Sequence, residues 1–211
     1  MITNDHILDD RAMIGTLRGA LAAPTEADLA LRRSRFSARA DREELVDVAY
    51  HITDSPFGSL LVAATPEGLV RVAFACEDHD VVLGQLAETV SPRVLRMTSR
   101  TDLVARQLDE YFAGARRAFD VPLDLRLVRG FRRTVLERLT GIGYGATATY
   151  ASLAALVGNP GAARAVGSAC SHNPVPLVLP CHRVDRSDGT HGHYLGGAEM
   201  KVALLAFERA A

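Results

Sequence analysis

Nucleophilic chemistry is concentrated in the last third of the chain. Cys181 stands in the run Pro180-Cys181-His182-Arg183, and Glu208 lies near the C-terminal end. A thiolate rather than a thiol attacks an electrophile, so a working cysteine needs a group that takes its proton. His182, oriented by a carboxylate such as Glu208, serves that purpose directly or through water. The same three groups suit a cysteine hydrolase or an acyltransferase, and a lone buried cysteine is often inert packing. Spacing alone therefore names a reactive thiol without naming its reaction.

The surrounding residues must position that thiol. Asn173-Pro174-Val175-Pro176 leads into the apolar run Leu177-Val178-Leu179, which Pro180 stops. This predicts a buried strand that meets a turn at Cys181. Upstream, Phe131–Leu139 is amphipathic and is broken by Gly141-Ile142-Gly143-Tyr144-Gly145. Thr149 is placed to cap a short helix from Tyr150 to Val157, which Gly158 ends. Asn159 reads as an N-cap with Pro160 at the first helical position, opening a second helix from Gly161 to Cys170. Two short helices joined in this way predict a helix-turn-helix. The second is lean: Gly161, Ala162, Ala163, Ala165, Gly167, Ser168 and Ala169 surround one long charged side chain, Arg164. Between Arg126 and Arg186 there are eight arginines against two acids, in a chain whose formal net charge is -1. That local excess fits a polyanion contact, with a solvated charged face as the plain alternative.

The rest of the chain reads as scaffold. Its 211 residues and 48% apolar content support one ordinary domain or two small ones. No stretch reaches the length of a membrane span, the start lacks the order of a signal peptide, and the cytoplasm is the default location. Three cysteines, Cys76, Cys170 and Cys181, form no even disulfide framework. Residues 1–46 form an extension of unknown role. It mixes Asp9, Asp10 and Glu26 with Arg32, Arg33, Arg35 and Arg39, and is expected to be helical or partly ordered from Ala27 to Leu45. From Asp47, three β-prone runs, Val48–Thr53, Ser59–Ala64 and Leu69–Ala75, predict an antiparallel meander. Helical patterns follow over Asp80–Val90 and Thr101–Ala113, and Phe119–Leu127 alternates like a strand. The fold class expected is α+β: a small N-terminal domain over 47–127 with antiparallel strands, then a mostly helical domain over 128–211 with the helix-turn-helix.

Taken together, Arg164-Ala165-Val166-Gly167, Asn173-Pro174-Val175-Pro176 and Pro180-Cys181-His182-Arg183-Val184 resemble the O6-alkylguanine-DNA alkyltransferase family. Phe131, Thr149-Tyr150, Tyr194-Leu195-Gly196-Gly197, Lys201 and Leu204-Leu205-Ala206-Phe207-Glu208 follow in family order, and the resemblance covers about residues 47 to 211. It implies direct-reversal DNA repair, in which an alkyl group moves irreversibly from the O6 of guanine to Cys181, with O4-alkylthymine as a second candidate lesion. It also implies a ribonuclease H-like first domain, no cofactor, double-stranded DNA carrying O6-alkylguanine as partner, no membrane, and a monomer in solution.

The resemblance carries roles residue by residue. Cys181 is the acceptor, His182 its base, and Glu208 the acid that polarises His182; exchanging Glu208 for Gln is then expected to slow transfer while sparing the fold. Asn173 orders the active-site turn, and Tyr150 donates to the departing guanine. Arg164 fills the stack left by a flipped nucleotide, which must leave the duplex before a thiolate can reach it. Ala162, Ala163 and Arg183 join Arg164 and Tyr150 at the DNA. Pro176, Val184, Tyr194, Leu195 and Gly196, with His193, border the alkyl pocket. Ala146, Leu136 and Phe207 depart from residues common at those places in the family. A non-catalytic lesion sensor of the same fold is the rival reading beside the hydrolase, although such proteins lack the acceptor cysteine. Cys76-x-x-His79 and Cys170-x-His172 could supply four zinc ligands if they met in space, although no metal is expected.

Overall fold

The computed structural model describes residues 23–210. Residues 1–22, including Asp9 and Asp10 of the extension, lie outside the described residues. Residues 40–210 form one compact unit, and residues 23–39 belong to a separate one.

Helix α1 spans Glu26–Arg42. Its start is fixed by Thr25, whose hydroxyl accepts from the Asp28 amide at 3.1 Å while Asp28 accepts from the Thr25 amide at 3.1 Å. Each thus satisfies one of the amides that a helix start leaves without a partner.

The compact unit opens with β1 (Val48–Thr53), β2 (Leu60–Thr65) and β3 (Gly68–Phe74), paired antiparallel as the meander predicts. Helix α2 (His79–Thr89) then leads to a short β4 (Val94–Arg96), which pairs parallel to β1 and gives the order β3-β2-β1-β4. Nothing in the alternation pointed to β4, because three residues are too few to show a period. Every residue of β2 is buried. Leu60 and Val62 join Val104, Leu108 and Tyr111 of α3 (Asp102–Phe112) in one cluster, while Leu61 and Ala63 join Val82 and Leu86 of α2 in another. A strand covered on both faces has no polar side to show, hence the continuous Leu-Leu-Val-Ala-Ala run.

The strand expected over Phe119–Leu127 does not form; only Leu69 and Leu123 make an isolated parallel bridge. The segment instead covers the open edge of β3: the Leu69 amide donates to Pro122 O at 2.8 Å and the Asp124 amide to Leu69 O at 2.8 Å. A Cβ on Gly68, whose φ is +149°, would lie 2.4 Å from Pro122 O, so the close approach requires glycine.

The remaining helices are α4 (Gly130–Arg138), α5 (Tyr150–Leu156), α6 (Ala163–Ser171) and α7 (Ala198–Ala210). A small parallel pair, β5 (Ala148–Thr149) and β6 (Val184–Asp185), lies with them. Thr149 caps α5 as expected, accepting from the Ser152 amide at 3.0 Å. Asn159 does not cap α6, which begins at Ala163. Asn159-Pro160-Gly161-Ala162 instead closes a turn through the Ala162 amide and Asn159 O at 3.0 Å. The fixed φ of proline suits the second position of a turn as well as the first of a helix. The main core cluster runs from Leu60 to Leu204 and so joins the sheet, α3 and the C-terminal helices.

Candidate active site

The thiol is built on a loop. Asn173–Pro180 is wholly buried and irregular, and Cys181 opens a single 3-10 turn, Cys181–Arg183. The strand expected ahead of Cys181 is absent because three prolines in this segment bring no N–H to a ladder, and because Leu177 adopts φ +71°. A non-glycine residue in that region costs on the order of 1–3 kcal/mol and persists only where packing enforces it; Leu177 is 1% exposed.

Asn173 supplies the hydrogen bonds that a strand would have supplied. Its Nδ2 donates to Leu179 O at 2.7 Å and to Cys181 Sγ at 3.1 Å, and its Oδ1 accepts from the Val175 amide at 3.1 Å. The sheet braces the same loop, since the Val72 amide on the edge of β3 donates to Pro174 O at 2.8 Å.

Burial pushes the Cys181 thiol up to about 11, against the pull of the Asn173 amide and the Lys201 ammonium. At neutral pH the sulfur therefore rests protonated. Lys201 is itself fully buried, donating to Val184 O at 2.5 Å and pairing with Asp185 Oδ1 at 2.8 Å. Its Nζ lies 6.0 Å from the centre of the Tyr150 ring.

His182 and Glu208 meet with both side chains fully buried, Nε2 to Oε1 at 2.8 Å. An ionised carboxylate only accepts, so Nε2 carries the proton and Nδ1 presents its lone pair. Nδ1 is buried and has no protein partner. Burial lowers the pKa of His182 despite the neighbouring Glu208, so the ring is a neutral base. Among the described residues no hydrogen bond joins His182 directly to Cys181 Sγ.

Burial works against the charge on Glu208, yet the donors around it hold the carboxyl far below its ordinary range. Beside His182 these are Arg183 Nε at 2.9 Å and Nη2 at 2.8 Å, the Tyr111 hydroxyl at 2.8 Å and the Gly145 amide at 3.1 Å.

This arrangement corrects the expectation for Arg183. Its side chain is buried, its guanidinium spent on Glu208 and on Ile142 O at 2.6 Å, and it stacks over Tyr144. A buried carboxylate requires such a counter-charge, and Arg183 is thereby withdrawn from any phosphate. Tyr111 and Gly145 carried no signal in the sequence, because their roles depend on partners far along the chain. Lys201, the sole lysine, was the one visible anomaly.

A cavity of about 630 Å³ opens beside α5 and α6, lined by Tyr150, Ala163, Arg164, Gly167, Arg186 and His193 among others. Arg164 is exposed there, and among the described residues it makes no hydrogen bond or ion pair. Ala162 precedes the first turn of α6 without lining the cavity. The Tyr150 phenol is pushed up to about 12, first by burial and then by Cys170, Asp185 and Cys181, so it stays a donor. Gly192 crosses so close that a Cβ would fall 2.0 Å from Tyr150 Oη.

Of the residues expected at the alkyl pocket, Pro176, Val184, Tyr194, Leu195 and Gly196 do not line this cavity. Pro176, Val184 and Tyr194 are buried, and Tyr194 packs edge-on to His182 with ring centres 6.2 Å apart. Leu195 borders a separate cleft of about 340 Å³ with Asn173 and Pro174. The cysteine–histidine pairs weighed for zinc do not assemble: Cys76 is exposed, Cys170 is buried, and no metal-holding cluster of three or more such residues exists among the described residues. No helix among them is long and apolar enough to cross a membrane.

Comparison with known proteins adds to this geometry. Residues 48–125 match the family described as 6-O-methylguanine DNA methyltransferase, ribonuclease-like domain, and residues 130–210 match its DNA binding domain. A methylated-DNA–protein-cysteine methyltransferase of Mycolicibacterium paratuberculosis is 38% identical over 77% of this chain and 93% of its own length. The constitutive enzyme of that name from Bacillus subtilis is 35% identical over 76% and 94%. Among solved structures, that of Mycobacterium tuberculosis OGT in complex with DNA is 36% identical with a TM-score of 0.67, covering 77% of this chain and 93% of that one. With a buried cysteine, histidine and glutamate on that shared framework, the chain belongs to the 6-O-methylguanine DNA methyltransferase family.

Proposed function

We propose that the protein repairs DNA by direct reversal, with Cys181 as acceptor of an alkyl group carried on O6 of guanine. The observation that carries this reading is the buried pair His182–Glu208 beside a thiol held by Asn173. The resting thiol is protonated, so transfer begins with proton loss toward Nδ1 of His182, relayed by a bridging water. Glu208 steadies the imidazolium that results, while Asn173 and Lys201 offset the cost of a buried thiolate. Sulfur then attacks the alkyl carbon: the S–C bond forms, the C–O6 bond breaks, and the electron pair leaves with guanine. Tyr150, held as a phenol, donates to the departing base, so that the base need not leave as a full anion.

Reaching O6 requires the nucleotide to leave the stack, at a cost of a few kcal/mol. Arg164, exposed on the lean helix α6, fills the space it vacates in this reading. A thioether is stable to water, so each molecule reacts once.

Intact mass after incubation with duplex DNA containing O6-methylguanine tests this. One added methyl per chain, mapped to Cys181 and absent in Cys181→Ser, is the expected result. Methyl on Cys76 or Cys170 overturns the assignment, and multiple turnovers would support a hydrolase instead.

A further inference from the structure

The family framework begins at residue 48, and 77% of this chain suffices to span 93% of the mycobacterial relative. Helix α1, Glu26–Arg42, therefore lies outside the shared module. From Leu29 to Ala40 it holds four arginines and no acid. Spacing matters more than number here. At 3.6 residues per turn, Arg32, Arg35, Arg39 and Arg42 recur at intervals of three, four and three, and fall within an arc of about 80° along about 15 Å of helix. All four are exposed. Ala40, the helix's buried residue, lies outside that arc and packs with Val46, Ala49 and Met97.

Arg39 is itself engaged by a partner, which leaves Arg32, Arg35 and Arg42 to carry the charge of the stripe. Asp28 is engaged by the amide and hydroxyl of Thr25 at 3.1 and 2.7 Å. Asp41 pairs with Arg100 at 2.5 Å, and Glu26 sits 3.7 Å from Arg33, which is off the stripe.

We propose that α1 is an auxiliary DNA clamp whose arginine stripe binds backbone phosphates without reading sequence. Over about 15 Å a single DNA strand presents about four phosphates, enough to meet Arg32, Arg35 and Arg42. Guanidinium groups suit phosphate by geometry as well as charge. A chain of net charge -1 gains little steering from its overall field, so a concentrated basic edge is where a polyanion is held. The proposal rests on DNA being the partner of the family module.

The test compares the full chain with the triple variant Arg32→Ala, Arg35→Ala, Arg42→Ala and with the corresponding triple Lys variant. Alanine favours helix, so α1 is retained, and circular dichroism checks it. Affinity for a lesion-free duplex is measured by fluorescence anisotropy from about 50 to 200 mM salt. Each phosphate that is no longer neutralised lowers the steepness of log K against log salt by about 0.9, so the Ala triple should be shallower by about 2.7 while the Lys triple keeps most of the slope. Reaction with free O6-benzylguanine should be the same in all three proteins. An unchanged slope in the Ala triple overturns the clamp. So does loss of binding to phosphatidylserine vesicles with duplex binding intact, which would make α1 a membrane-surface helix. If the parent binds no duplex, the clamp fails together with the repair reading. If it binds duplex but transfers no alkyl group, only the repair reading fails.

Discussion

Exchanging Glu208 for Gln removes one negative charge from a point on which the His182, Arg183, Tyr111 and Gly145 donors converge. Glutamine offers one accepting oxygen and turns an NH₂ toward donors that already fill the other side. Arg183, 5% exposed, is then a buried cation without its partner. Breaking a buried pair from one side costs about 3–5 kcal/mol. For a chain of this size that amounts to a fall in Tm of roughly 6–20 °C, since each kcal/mol moves Tm by about 2–4 °C. The variant is thus expected to lose stability as well as rate, unlike the reading from sequence, which spared the fold. The rate effect is separate: without the charge that steadies its imidazolium, His182 loses base strength, a contribution of roughly 100 to 10,000-fold.

The pH dependence fixes the sign. Glu208's carboxyl is lowered by folding, so its stabilisation is complete above the unfolded value near about 4.3 and fades as acid protonates it. The gap in stability between parent and Gln variant should therefore be widest at neutral pH and shrink below about pH 4. Urea denaturation at pH 7 and pH 3, with single-turnover transfer measured at a temperature where both proteins are folded, reads both effects. A loss under about 1 kcal/mol at pH 7, or transfer within twofold of the parent, would refute the reasoning.

Arg164→Ala should slow repair within duplex DNA far more than reaction with free O6-benzylguanine, which needs no extrusion; equal slowing in paired single-turnover assays would make Arg164 a support of the pocket. Tyr150→Phe should slow both substrates, because the leaving base loses its donor in either case, and a duplex-only effect would count against that role. Iodoacetamide at pH 7 should label exposed Cys76 first and the buried, protonated Cys181 slowly, as read by peptide mapping; fast labelling of Cys181 would contradict its raised pKa.

Much of the fold was legible because its signals are local. The three strands of the meander carry their own turns, and Thr149 caps α5 from one residue away. The failures share a cause: Asn159-Pro160-Gly161 suits a turn as well as a helix start, and Phe119–Leu127 alternates like a strand yet serves to cover an edge. Leu177-Val178-Leu179 has the composition of a buried strand. It becomes a loop because Asn173, four residues before Leu177, takes over the hydrogen bonds.

The site divides along the same line. The reactive groups could be read because Cys181 and His182 are adjacent and Glu208 lies in a patterned helix, whereas the network that makes Glu208 an anion is assembled from three separate places. Tyr111 comes from α3 and Gly145 from the loop before β5. Arg183 is next to His182 yet points inward, and a basic residue beside a DNA-facing motif invites a phosphate assignment that only burial can overrule. Tyr111 also gives the first part of the chain a share in the chemistry. Its hydroxyl fixes Glu208 from α3, while Val72 holds Pro174 from the edge of β3. The sheet and α3 thus grip the acid and the thiol loop from outside the helical half, so the ribonuclease-like part is a structural condition for a buried thiolate rather than a separate module.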